Sequence, residues 1–112
     1  MNVKGVLTLM GFAQKAGKLA GGDAAVENFL AKERLALLIV SEELSAQRQE
    51  QWQAEAEKHG IEAMVLPATK LEMGLAVGMS RRGVIGIMEE NMAEAIKKKM
   101  QDCHIFWGWF NE

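Results

Sequence analysis

The sequence has little of the chemistry that marks a metalloprotein or a disulfide-stabilised protein. Its 112 residues include one cysteine, Cys103, and two histidines, His59 and His104. A single cysteine cannot form an internal disulfide, and it has no metal-ligand partners at a useful spacing. The two histidines are far apart in the sequence. We therefore expect neither a metal site nor a cofactor.

Long apolar runs, linkers and repeats are also missing. No apolar run approaches the ~20 residues that a membrane-spanning helix needs, and the first residues lack the apolar core and cleavage site of a signal peptide. The sequence contains one proline and no low-complexity segment. These absences predict a cytoplasmic protein without a membrane contact. We expect one domain over residues 1–102, followed by a short aromatic tail over residues 103–112.

No catalytic constellation is present either. The pairs Glu42-Glu43 and Glu89-Glu90 follow apolar runs, where α/β folds often carry functional loops. No nucleophile–base pair or metal-ligand spacing accompanies them. The glycines match neither a phosphate-binding Walker loop nor a dinucleotide fingerprint. The sequence therefore predicts a protein that is not an enzyme.

What is present is an uneven distribution of charge. The formal net charge is −2, which argues against a protein that binds nucleic acids through bulk charge. Residues 1–22 nevertheless hold three lysines and no acid, while the remaining 90 residues hold 10 basic and 15 acidic groups. A local basic surface matters more for phosphate contact than the charge of the whole chain.

Hydrophobic periodicity predicts an α/β fold. Helical spacing marks five helices, and short apolar runs of strand length lie between them. We expect Ser45 and Thr69 to cap helices, Trp52 to face the core, and Leu71 and Leu75 to point inward from a short helix. The predicted strands cover residues 18–20, 35–40, 63–66 and 83–88. Alternating helices and buried strands predict a three-layer α/β/α sandwich around a roughly four-stranded mixed sheet.

The stretch from Gln14 to Asn28 is the first candidate binding segment. Lys15 and Lys18 precede Gly21-Gly22, which lead into a predicted helix that begins near Asp23. Glycines before a helix let another molecule approach unpaired amide donors, and the helix dipole favours an anion such as phosphate there. Alternatively, the glycines serve only the geometry of a turn, with Asp23 as a cap.

Two further segments have functional and plain structural interpretations. Arg81-Arg82 lies on a predicted loop, where adjacent arginines can bind phosphates or stack on bases, or can simply be solvated. The aromatic tail contains four aromatic residues within five positions, which would form a large exposed patch unless they pack somewhere. They could pack back on the domain, form a partner or self-association surface, or stack on bases; these residues are Phe106, Trp107, Trp109 and Phe110.

The order of these segments resembles a known family. Leu9–Val26 (LMGFAQKAGKLAGGDAAV), Leu35–Ser45 (LALLIVSEELS) and Ala68–Ile87 (ATKLEMGLAVGMSRRGVIGI), with their spacing, are similar to the kink-turn RNA-binding ribosomal proteins, large-subunit protein seven-Ae and its thirty-e relatives, especially the small bacterial members. The resemblance covers residues 3–98. It implies an α/β/α sandwich that binds sharply bent, structured RNA, associated with the ribosome or with translation.

The resemblance also implies which residues contact the RNA. In the family, a Gly-x-Asn-Glu-x-x-Lys pattern reads sheared G·A pairs, and here the glycine falls at Gly22, with Asp23 at the variable position. The asparagine falls at Ala24, the glutamate at Ala25 and the lysine at Asn28, so three base-reading side chains are replaced.

A second family contact, a loop that packs on flipped-out bases, falls on Met79–Gly83. This loop carries Arg81 and Arg82, where relatives usually have apolar residues or a proline before an arginine. The predicted RNA-binding set is therefore Lys15, Lys18, Gly21, Gly22, Asp23, Ala24, Ala25, Asn28, Arg81 and Arg82. The alternative function is a protein–protein interaction module that keeps the fold and uses the aromatic tail.

Overall fold

Helices and strands alternate along the chain in a computed structural model that describes the secondary structure of residues 2–111 and the side chains of residues 2–101. In chain order the elements are α1 (Val3–Lys15), β1 (Leu19–Gly21), α2 (Asp23–Ala31), β2 (Leu37–Ser41), α3 (Ala46–Lys58), β3 (Glu62–Leu66), α4 (Lys70–Ala76), β4 (Val84–Ile87) and α5 (Glu90–Asn111). This succession confirms the predicted α/β class. None of the described helices is both long enough and apolar enough to cross a membrane.

The four strands form one mixed sheet, as the sequence predicts. Their order across the sheet is β1-β4-β2-β3. Strands β2 and β3 run parallel, whereas β4 is antiparallel to both β1 and β2. Strand β4 therefore lies in the middle of the sheet and joins the short β1 to the two parallel strands.

The sheet divides the interior into two cores because successive strand side chains point to opposite faces. Leu37 and Ile39 pack with residues of α1, α4 and α5. Leu38 and Val40 pack with residues of α2 and α3, including Trp52, which is 3% exposed. The continuous apolar run of β2 is thus a central strand covered on both faces, and the inward prediction for Trp52 is confirmed.

Side-chain caps begin three of the helices. The Asn2 Oδ1 atom accepts from the backbone N–H of Gly5 at 2.8 Å, and Ser45 Oγ accepts from that of Arg48 at 3.2 Å. Thr69 and Glu72 form a reciprocal capping box at the start of α4. The predicted caps at Ser45 and Thr69 are therefore confirmed, and each satisfies an amide donor that the helix leaves unpaired.

The inward prediction for Leu71 and Leu75 is wrong. Leu71 is 46% exposed and Leu75 is 68% exposed, whereas Met73 and Val77 are 0% and 1% exposed. Helix α4 is rotated so that Gly74 meets the loop that follows it, where a Cβ atom would lie 1.9 Å from the Ser80 carbonyl oxygen. Only a residue without a side chain fits this approach, and the rotation leaves both leucines facing outward.

We expect this rotation to be visible in stability measurements. Met73→Ala should lower the free energy of unfolding by about 2–5 kcal/mol, because it opens a cavity in the buried core. The matched change Leu71→Ala, on the exposed face of the same helix, should cost no more than about 0.5 kcal/mol. Urea unfolding of both variants provides the measurement, and equal costs would contradict the orientation of α4.

Candidate functional site

The start of α2 differs from the starts of α1, α3 and α4 because no side chain caps it. Its N-cap residue is Gly22, at φ 96° and ψ 166°, without a side-chain cap hydrogen bond. The Gly22 N–H donates to the Val84 carbonyl at 2.9 Å, and its carbonyl accepts from Val26. Among the described residues, no acceptor is recorded for the first three amides of the helix, those of Asp23, Ala24 and Ala25. These donors remain available to an anion.

The loop before β4 lies directly against this helix start. A Cβ atom at Gly22 would lie 3.2 Å from the Cδ atom and 3.3 Å from the Nε atom of Arg82. A Cβ atom at Gly21 would lie 2.5 Å from Met79 Sδ. The structure therefore brings together two predicted segments that are about 60 residues apart in the sequence.

The Arg82 guanidinium is positioned by its own loop. Its Nη1 atom donates to Ser80 Oγ at 2.7 Å and to the Arg81 carbonyl at 3.0 Å. The backbone N–H of Arg82 donates to the Lys70 carbonyl at 3.0 Å, which ties the loop to the start of α4. Within residues 2–101, neither Arg81 nor Arg82 forms a salt bridge. Two arginine charges therefore remain uncompensated beside the amides of α2.

Asp23, the acid in this site, is paired with Arg48 of α3. The Arg48 Nη2 atom lies 2.6 Å from Asp23 Oδ2, and Nη1 donates to Gln51 Oε1 at 2.9 Å. The Arg48 guanidinium also lies 5.6 Å from the centroid of the Trp52 ring. Because both members of the ion pair are about half exposed, its energy is small, but it offsets negative charge at the helix start.

Arg48 was absent from the sequence-based site. It lies on the charged and glutamine-rich face of α3, which is typical of a solvated helix surface. Nothing in its spacing connects it with Asp23, 25 positions earlier, and only the packing of α3 beside α2 brings the two charges together.

The replaced base-reading positions lie on the same helix start. Ala24 and Asn28 are exposed and four residues apart, so they share one face of α2. Ala25 is half-buried and packs against the core between α2, α3 and the sheet. This face therefore presents a single polar side chain, that of Asn28.

The two lysines of the predicted binding segment lie away from the glycines. The Met88 N–H donates to the Lys18 carbonyl at one end of β1, and the Gly22 N–H donates to Val84 at the other end. Four extended residues separate Lys18 from Gly22, about 13 Å at the rise of a strand. Lys15 ends α1 on the Lys18 side, and both lysines are exposed. Gln14–Asn28 is thus not one compact basic cluster but spans the sheet from end to end.

The remaining predicted groups give no second site. The side chains of Phe106, Trp107, Trp109 and Phe110 lie outside the described residues, as do those of Cys103 and His104. Among the residues whose side chains are described, no group of three or more histidine, cysteine, aspartate or glutamate side chains could hold a metal ion.

Comparison with known proteins supports the architecture. No protein-family model matches the chain, and no curated protein matches it. A solved structure of a protein with unknown function from Bacillus halodurans C superimposes with a TM-score of 0.78 at 21% sequence identity. The alignment covers 86% of this chain and 96% of that one. At this identity the similarity shows a shared fold and nothing about activity.

We expect Gly22 to be intolerant of a side chain. Gly22→Ala should lower the free energy of unfolding by about 1–3 kcal/mol, because φ 96° and ψ 166° lie in a backbone region that essentially only glycine adopts. Gly17→Ala is the matched control, since Gly17 also has positive φ but a Cβ atom there would meet nothing within 4 Å. Thermal unfolding should show a larger loss for Gly22→Ala, and an equal or smaller loss would contradict the contact with Arg82.

Proposed function

We propose that this protein is a non-enzymatic, cytoplasmic RNA-binding protein that binds structured, kink-turn-like RNA and acts with the ribosome or in translation. The observation that carries the proposal is the contact between Gly22 and Arg82. The family resemblance assigns RNA contacts separately to the start of α2 and to the loop Met79–Gly83. The two segments form one continuous surface, which is the arrangement that this mode of RNA binding requires.

The chemistry of this surface suits an RNA backbone. Unpaired amides at a helix N-terminus bind phosphate oxygens, and the helix dipole favours negative charge there. Arg81 and Arg82 add guanidinium groups that can bind phosphates in a bidentate manner or stack on unpaired bases. The ion pair with Arg48 reduces the repulsion that Asp23 would exert on a phosphate.

Base readout on this surface is weaker than the family pattern implies. Ala24 and Ala25 have no polar side-chain group, and Asn28 is shorter than lysine and uncharged. A bidentate contact to a base edge contributes roughly 1–3 kcal/mol of discrimination. We therefore propose recognition that depends mainly on the RNA backbone and shape.

Charge reversal tests the proposed surface. Arg82→Glu should weaken binding to a fluorescently labelled kink-turn RNA at least tenfold, because it places a carboxylate beside the amides of α2. Lys98→Glu makes the same charge change on the exposed face of α5 and should leave the affinity nearly unchanged. Fluorescence anisotropy titrations measure both, and equal losses would mean that binding follows net charge alone.

The double variant Lys18→Glu with Arg82→Glu tests the full length of the surface. We expect it to abolish binding, and Lys18→Glu alone reports whether the RNA reaches the far end of β1. Titrations at several salt concentrations should show a shallower salt dependence for each lost phosphate contact. Unchanged affinity of the double variant would refute the assigned surface.

Restoring the family pattern tests the base readout. The triple variant Ala24→Asn, Ala25→Glu and Asn28→Lys should bind a kink-turn RNA at least tenfold more tightly relative to a plain duplex than the unmodified protein does. Competition titrations with duplex RNA of matched length give this ratio. The single variant Asn28→Lys is the control for added charge, and it should tighten binding to both RNAs alike. A triple variant that gains no selectivity would show that this face does not meet the base edges.

A further inference from the structure

A groove between α1 and α4 is the largest apolar surface among the described side chains that the proposed RNA contacts leave unused. Phe12 of α1 is 57% exposed and Leu75 of α4 is 68% exposed, and both line the groove. Its floor is narrow because α1 and α4 approach closely, and a Cβ atom at Gly11 would lie 2.9 Å from the Ala76 carbonyl oxygen. Two large apolar side chains held apart above a small-residue floor form a site that suits an apolar helix face.

The charges at the rim of the groove are mainly basic. Lys4 and Lys15 lie at the two ends of α1 and both line the groove. No described acidic side chain forms a salt bridge with either lysine. The acid in the groove, Glu72, is already engaged, since its Oε1 atom accepts from the Thr69 N–H at 2.9 Å. An occupant that is apolar in its centre and acidic at its ends would complement this groove.

The aromatic tail of the same chain has that composition. Its four aromatic residues lie between Asp102 and Glu112. Asp102 and Glu112 are ten positions apart, about 15 Å along a helix, and Lys4 and Lys15 are about 17 Å apart along α1. Because α5 extends as a helix to Asn111, the spacing of the acids matches that of the lysines.

The direction of α5 keeps the tail away from the groove of its own molecule. The start of α5 lies near the end of α1, since the Met88 N–H donates to the Lys18 carbonyl at 2.9 Å. Further along, the Asn2 N–H donates to the Lys99 carbonyl at 3.3 Å. Helix α5 therefore runs antiparallel to α1 and continues beyond Asn2, whereas Phe12 lies about 15 Å in the opposite direction.

We propose that the groove between α1 and α4 binds the aromatic tail of a second copy of this chain, and that two copies exchange their tails reciprocally. Each copy offers one groove and one tail, so a twofold arrangement satisfies both at once and closes the assembly as a dimer. The contact is a helix in a groove, with aromatic residues as anchors between two charged ends. This dimer is independent of the proposed RNA contacts.

Sedimentation velocity of the full chain over a range of concentrations tests the dimer. We expect reversible dimerisation of the unmodified protein. Leu75→Glu in the groove and Trp107→Ser with Trp109→Ser in the tail should each raise the dimer dissociation constant at least tenfold. Leu71→Glu is the matched control, because Leu71 is exposed on the same helix but does not line the groove. Its dissociation constant should stay within about threefold of the unmodified value.

A mixing experiment distinguishes a tail in a groove from a tail against a tail. The Leu75→Glu chain keeps an intact tail, and the Trp107→Ser, Trp109→Ser chain keeps an intact groove. The mixture should therefore form a mixed dimer that is more stable than either homodimer. Circular dichroism and thermal unfolding confirm that each variant is folded before the masses are compared.

Three results would overturn the proposal. The first is a monomer at the highest soluble concentration of the unmodified protein. The second is a Leu75→Glu chain that dimerises as tightly as the unmodified chain, since that would indicate contact between tails alone. The third is a Leu71→Glu chain that is weakened as much as Leu75→Glu.

Discussion

The close approach of Gly74 to the Ser80 carbonyl is the contact on which the rest of the candidate site depends. It lets the loop after α4 turn back along the helix, where Arg82 N–H reaches the Lys70 carbonyl. From that position the Arg82 side chain extends across Gly22 at the start of α2. Any side chain at residue 74 would push the loop outward, because its Cβ atom would overlap a backbone atom that cannot rotate away.

The same contact determines the character of the outer surface of α4. With Gly74 and Met73 turned inward, Leu71 and Leu75 have no place in the core. Leu75 and Phe12 then stand on either side of a groove with lysines at its ends. Thus the packing constraint that forms the proposed RNA surface on one side of α4 also exposes the apolar groove on its other side.

Charge and backbone geometry have separate roles in the proposed RNA surface. The uncapped amides of α2 and the arginines of the loop Met79–Gly83 supply attraction for phosphate, which carries no information about sequence. The side chains that would read base edges are replaced by Ala24, Ala25 and Asn28. A surface of this kind binds by shape and charge, and its specificity depends on the RNA presenting phosphates at the spacing of these groups.

Most of the fold could be predicted from the sequence because its signals are local. The apolar run before Ser41 has the length of a central strand, and Ser45 and Thr69 occupy the positions where side chains satisfy helix amides. Strand limits were less accurate, and β2 begins at Leu37 rather than at Leu35. Pairing ends where neighbouring strands end, which a local pattern does not contain.

The sequence by itself determined the alternation of helices and strands, the helix starts, and the presence of glycines and basic residues in the two candidate segments. Only the tertiary structure decided which of these residues meet. It placed Arg82 on Gly22, paired Asp23 with Arg48, moved Lys15 and Lys18 to the far end of β1, and turned Leu71 and Leu75 outward. The physical reason is that helix rotation and loop approach are set by contacts between distant backbones, above all the one at Gly74, whereas periodicity describes one element at a time.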